Sequence, residues 1–228
     1  MNESACSLSR EDATSTESAA PSQTAIDAIL GGADLRVHVV ERPVLAKPVY
    51  DHRFIIIQSE RGYLYVELVA KKLLIPFAGL VQINVEVHVA GEPEGESGIY
   101  ELTAWHNARG YRMSRPLFPV TGDVRAFAAR ILAVVRSFER LAAKRLRYTR
   151  GLFDGPGIVR ARLRRRSTGD QFLLNSNHFV TLVLGAAGGL TGSAVATAIA
   201  GTRDCAAGSR DWEIGADVRS ALDDALRS

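Results

Sequence analysis

From Gln171 to Thr202 the chain carries no charged residue, and this run opens on three consecutive helix-capping residues, Asn175-Ser176-Asn177. Phe179, Val180, Leu182 and Val183 follow at once, so a buried helix is expected to start there. A helix N-terminus offers free backbone N–H groups and a partial positive charge. A hydroxyl seated on that tip is well situated to act as a nucleophile. The segment thus constrains both the core and the position of a candidate site.

The remainder of the chain reads as strands first and helices later. Ala25 to Leu30 is a short helix ended by Gly31-Gly32, and Leu35 to Val40 is a strand stopped by Pro43. Phe54 to Gln58 and Tyr63 to Ala70 flank the turn residues Ser59-Glu60-Arg61-Gly62, which predicts a hairpin. Val81, Ile83, Val85, Val87 and Val89 alternate with Gln82, Asn84, Glu86 and His88, the period of a half-buried strand. Gly91 to Gly98 is a polar loop, and Ile99 to Trp105 a further strand.

The period then changes. Thr121-Gly122-Asp123 caps a helix expected to run to about Tyr148. Its apolar face holds Val124, Phe127, Ala128, Ile131, Val135, Phe138 and Ala142. Its basic back holds Arg125, Arg136, Arg140, Lys144 and Arg147. Gly151 to Gly157 breaks the helix, Ile158 to Arg166 is a short basic strand or insertion, and Trp212 to Ser228 is an amphipathic helix. This order predicts an α+β fold.

Apolar content of 46% supports a real core over most of the 228 residues. Residues 1–24 are rich in Ser, Thr, Ala and acids and read as a disordered tail. Residues 25–202 read as a single domain, and 203–228 as a tail with a short helix. The net charge of +3 conceals an asymmetry. Arg125 to Arg166 holds thirteen Lys or Arg against Glu139 and Asp154, a local +11, which leaves −8 elsewhere. Cys6 and Cys205 cannot make a disulfide framework. No basic segment followed by an apolar core opens the chain, so no secretory signal peptide is expected, and the location is expected to be cytoplasmic or membrane-associated.

Asp51-His52-Arg53-Phe54-Ile55-Ile56-Ile57 and Leu174-Asn175-Ser176-Asn177-His178-Phe179-Val180 resemble two motifs of the circularly permuted papain-like superfamily. That group includes relatives of lecithin:retinol acyltransferase and of NlpC-type cell-wall peptidases. The first motif is similar to the His-bearing strand of that group. The second is similar to its Asn-Cys-x-His-Phe nucleophile segment, in the Asn-Ser-Asn form of uncharacterised bacterial members. The resemblance spans roughly Val49 to Gly189. It implies a permuted papain-like α+β fold with an antiparallel sheet, a long amphipathic helix and a C-terminal apolar nucleophile-type helix. It also implies hydrolase or acyltransferase chemistry on a small-molecule or peptide substrate.

In that reading Ser176 is the nucleophile and His52 its general base, and backbone N–H groups at the helix start hold the oxyanion. A serine needs an aligned base more than a thiol does. The position that orients the histidine falls near Val66, which cannot hydrogen-bond, and alternation turns Glu67 to the other face from Val66. The alternative for Asn175-Ser176-Asn177 is a plain helix cap, and for His52 a hydrogen-bonded strand residue. His178 is read as a first-turn surface or packing residue and His88 as exposed beside Glu86, while His38 and His106 have no partner pattern. No spacing implies a metal, and no glycine-rich loop has a phosphate-binding setting, so no cofactor is expected.

Two further functions compete. Phe179 to Ala200 is 22 uncharged residues, long enough to span a bilayer. It reads either as a membrane anchor or as two buried elements, Asn177 to Ala187 and Gly192 to Ala200, with a glycine turn between. The basic block 125–166 suits an anionic membrane surface or non-specific nucleic-acid binding, though it contains no specific nucleic-acid motif. Within the enzymatic lineage, the chain is either a weak Ser-His enzyme or a catalytically silent binding protein.

Overall fold

The computed structural model describes residues 21–43, 51–75, 78–90, 112–120, 122–142, 145–149, 157–159 and 171–190, together with Ser220 and Asp224. Ser22 caps helix α1 (Gln23–Leu30), its hydroxyl accepting from the Ala25 N–H at 3.2 Å. Strands β1 (Arg36–Pro43), β2 (Asp51–Ser59), β3 (Gly62–Ile75) and β4 (Ala78–Val89) follow as an antiparallel meander. Strand β5 (Arg112–Met113) pairs back onto β1. Helix α2 (Val124–Ala142) precedes β6 (Leu146–Thr149), β7 (Gly157–Val159) and β8 (Gln171–Leu174), and α3 (Ser176–Gly188) comes last. The eight strands form one sheet in the order β5-β1-β2-β3-β4-β6-β8-β7, antiparallel except for the β6–β8 pair. The architecture is therefore α+β, as the order of elements predicts.

The hairpin closes where the turn residues place it. Gly62 sits at φ 133°, and a Cβ there would collide with the His88 carbonyl oxygen, so the turn requires glycine. From this hairpin the sheet acquires two buried faces. Val37, Val39, Ile55, Ile57, Leu64, Val66 and Leu68 point to one side, where they join Phe127, Ile131, Val135 and Phe138 of α2 and Phe179, Val180 and Val183 of α3. Val40, Phe54, Ile56 and Tyr63 point to the other, forming a smaller cluster with Tyr65 and Met113 packed on it. The unbroken apolar run Phe54–Ile57 is the sequence mark of a strand buried on both faces.

Helix α2 begins after Asp123, whose carboxylate accepts the Ala126 N–H at 2.6 Å, and it buries the expected face. It ends at Ala142, short of the expected Tyr148. Leu146–Thr149 form a strand instead, because β4 bonds one edge of this segment and β8 the other. Strand β8 was not foreshadowed either. It is four residues long and runs directly into α3, so no periodicity announces it.

Helix α3 is buried from Ser176 to Leu184 and is apolar nearly all round, the pattern of a core helix. Phe179 meets the Phe138 ring edge-on, with centroids 5.2 Å apart. Gly188 lies so close to the Phe127 ring that a Cβ would overlap it, and Gly189 terminates the helix at φ 69°. A membrane anchor over 179–200 requires one continuous helix. α3 stops at Gly188 after 13 residues, and no helix among the described residues is long and apolar enough to cross a membrane. The expected second element, Gly192 to Ala200, lies outside the described residues. So do residues 1–20 of the expected 1–24 tail, whose residues 22–24 instead cap and open α1, together with the Gly91–Gly98 loop, the Ile99–Trp105 strand, His106 and most of the C-terminal helix.

Burial predicts a sharp contrast between two phenylalanines. Phe179→Ala should cost roughly 3–5 kcal/mol, whereas Phe118→Ala, at an exposed site, should stay within about 0.5 kcal/mol. Urea unfolding midpoints check both.

Candidate functional site

The start of α3 is built by its own first residues. Asn175 takes extended backbone geometry, and its side-chain oxygen accepts the His178 N–H at 2.9 Å. In return the Asn175 N–H donates to His178 Nδ1 at 3.4 Å. This is a reciprocal cap with histidine in the place usually held by Glu or Gln. His178 is buried, its Nδ1 turned to the Asn175 N–H. It cannot serve Ser176 as a base, since residues two apart on a helix do not face each other. Ser176 itself is only 3% exposed, and Asn177 is buried beside it. Asn177 also supplies the carbonyl that accepts the Thr181 hydroxyl at 3.0 Å.

His52 lies elsewhere. On β2 it shares a face with Phe54 and Ile56, and its ring centroid is 6.4 Å from that of Phe54. Its Nε2 lies against Oε1 of Glu67 on β3. Both side chains are buried. Val66 and Leu68 face the helices, so Glu67 between them faces away, on the side of Tyr65. The histidine and its carboxylate therefore occupy the sheet face turned from α3. The structure does not bring Ser176 and His52 together. The expectation that Val66 stands where an orienting residue is needed is also corrected, because the partner of His52 is Glu67. The register explains the difference: His52 belongs to the even-numbered side of β2, whereas the residues under α3 are Ile55 and Ile57.

The helix-facing column continues from Ile55 to Arg53. There the guanidinium Nε meets Glu41 Oε1 at 2.5 Å, both side chains almost fully buried. A buried bidentate-capable pair of this kind was not visible in the sequence, where Glu41 and Arg53 are two ordinary charged residues twelve positions apart. The β1–β2 register, which sets them opposite each other, is what unites them.

His38, for which no partner was foreseen, is buried on the far face. Its Nδ1 donates to the Ser114 carbonyl at 2.9 Å, and Gln58 Nε2 donates to its Nε2 at 3.3 Å. Burial holds its pKa below the ordinary value. The Ser114 carbonyl opposes that shift, and Arg36 adds to it. His88 is half-buried, stacked on Tyr63 with centroids 4.5 Å apart and 3.7 Å from a Glu86 oxygen, rather than simply exposed. Among the described residues no group of three or more His, Cys, Asp or Glu could hold a metal ion.

An open cleft of about 180 Å³ lies between α1, α2 and β4. Ile26, Val85, Leu132 and Val135 line it, with Gln23, Arg136 and Glu139 as its polar lining. Arg136 is tied to the Gln23 side-chain oxygen. Desolvation raises the Glu139 pKa above its ordinary value, and Arg136 opposes the rise. Such a lining suits a small molecule with an apolar body and one polar end.

Against known proteins, no family model, no curated protein and no solved structure matches this chain.

The His38 environment sets a pH dependence. Its folded-state pKa is depressed, so below pH 6.5 the unfolded chain takes up the proton first and stability falls as pH falls. His38→Gln should flatten the slope of unfolding free energy between about pH 7 and pH 5, as read by urea unfolding at each pH.

Proposed function

We propose that this chain is a catalytically silent binding protein on a permuted papain-like scaffold. The observation that carries the proposal is the pairing of His52 with Glu67 on the sheet face turned from α3. Serine chemistry needs a base within about 3 Å of the hydroxyl, allowing for looser geometry in a free enzyme. Here the imidazole the resemblance would supply is engaged across the sheet. The nearest histidine in sequence, His178, is spent on the helix cap. Asn175-Ser176-Asn177 then act as a structural start for the core helix.

Two features support retention of the scaffold for binding. A buried apolar helix still opens on the Asn-Ser-Asn-His-Phe-Val segment after a short strand. The cleft between α1, α2 and β4 offers a small amphipathic molecule a place distant in sequence from Ser176. Silence at Ser176 and binding at the cleft are separable properties.

A fluorophosphonate or activated-ester probe tests the silence. Wild type, Ser176→Ala and His52→Ala should label equally, at background level. Strong labelling of wild type that disappears in both variants would establish a working Ser-His pair and refute the proposal.

A further inference from the structure

The large hydrophobic side chains left exposed among the described residues are Phe118 and Val120, at 65% and 71%. They lie two positions apart in a segment that is firmly held. The Leu117 N–H donates to the Val37 carbonyl at 2.8 Å, and the Leu117 side chain is buried. The Val120 N–H donates to the Gly188 carbonyl at 3.0 Å, at the end of α3. Pro116 and Pro119 alternate with these anchors and stiffen the backbone. Phe118 and Val120 are thus presented to solvent at a fixed place on the surface.

Cationic side chains lie beside that place. Arg130 donates from Nε to the Ala187 carbonyl at 2.6 Å, one residue from the carbonyl that holds Val120. Its guanidinium reaches over Gly122, 3.5 Å from where a Cβ would stand. Arg115 and Arg125 are exposed, and Arg125 donates to the Gly32 carbonyl at 3.3 Å. Acids among the described residues near it include Asp123, occupied in capping α2, exposed Asp34 two residues from Gly32, and Glu60, which lies against Gly32 near Arg125. Arg115 and Arg130 thus set positive charge beside the apolar tip.

We infer that residues 115–120, with Arg130 of α2 beside them, dock on an anionic lipid bilayer. Phe118 and Val120 enter the headgroup boundary while Arg115 and Arg130 meet lipid phosphates. Side chains that project singly from an anchored loop suit insertion into a fluid interface. The adjacent guanidinium groups add the electrostatic attraction that makes such binding selective for anionic lipid. This membrane surface replaces the helical anchor expected from residues 179–200, and it places the protein on a bilayer instead of through it.

Co-sedimentation of the full chain with vesicles tests the inference. Vesicles containing about 30% phosphatidylserine should bind the protein, and pure phosphatidylcholine should not. Added salt should weaken the binding. Phe118→Ser/Val120→Ser should reduce partitioning about tenfold or more, and its unfolding midpoint shows whether it remains folded. Arg115→Glu should reduce partitioning without touching either apolar residue. No binding to either vesicle, or equal binding to both, would overturn the inference. So would a double serine variant that binds like wild type while replacement of Arg162, Arg164, Arg165 and Arg166 by Gln abolishes binding. Light scattering that finds a wild-type dimer converted to monomer by the double serine change would assign the patch to a second copy of the chain instead.

Discussion

Strand β2 is buried on both faces, and this constraint organises everything around it. From His52 to Ser59 every side chain is buried, so alternation assigns each residue to one of two environments with no solvent-facing option. Ile55 and Ile57 support the helices, and Phe54 and Ile56 support the second cluster. A shift of one residue would put Arg53 where Phe54 stands and a histidine under the helix layer. The pairing of eight consecutive β1 and β2 positions resists such a shift.

Polar groups caught in this arrangement meet one another across the strands. Arg53 meets Glu41 on the helix side, while His52 meets Glu67 and His38 meets Gln58 and Ser114 on the other. Removing one member of a buried ionic pair costs about 3–5 kcal/mol, because its partner is left charged and poorly solvated. The Arg53–Glu41 pair consequently adds to the apolar contacts in holding the register. The layer of strands also divides the motif histidine from the motif serine.

Much of the frame was legible in the sequence. The Asn175 cap, the hairpin at Ser59–Gly62, the alternation of Val81–Val87 and the apolar face of α2 each rest on a local rule, and local rules need no knowledge of distant residues. What was hidden depends on pairing between segments. Leu146–Thr149 looks like a helix tail until β4 and β8 bond to its edges, and β8 is too short to show a period. The face occupied by His52 could not be read from Asp51–Ile57 alone, because a continuous apolar run has no polar side to mark its orientation. Neighbouring Val66 and Glu67 offered opposite answers, and only the position of α3 decides between them. The partners of His38 come from 20 and 76 residues away, with no motif linking them.

The sheet separates the His52 imidazole, paired with Glu67, from the hydroxyl at the head of α3. Nitrogen-detected NMR of the histidine side chains measures this directly, with His52 assigned by substitution. Glu67→Gln should move the His52 Nε2 resonance markedly, and Ser176→Ala should leave it in place. A resonance that responds to Ser176→Ala and ignores Glu67→Gln would put the imidazole under α3 and contradict the account.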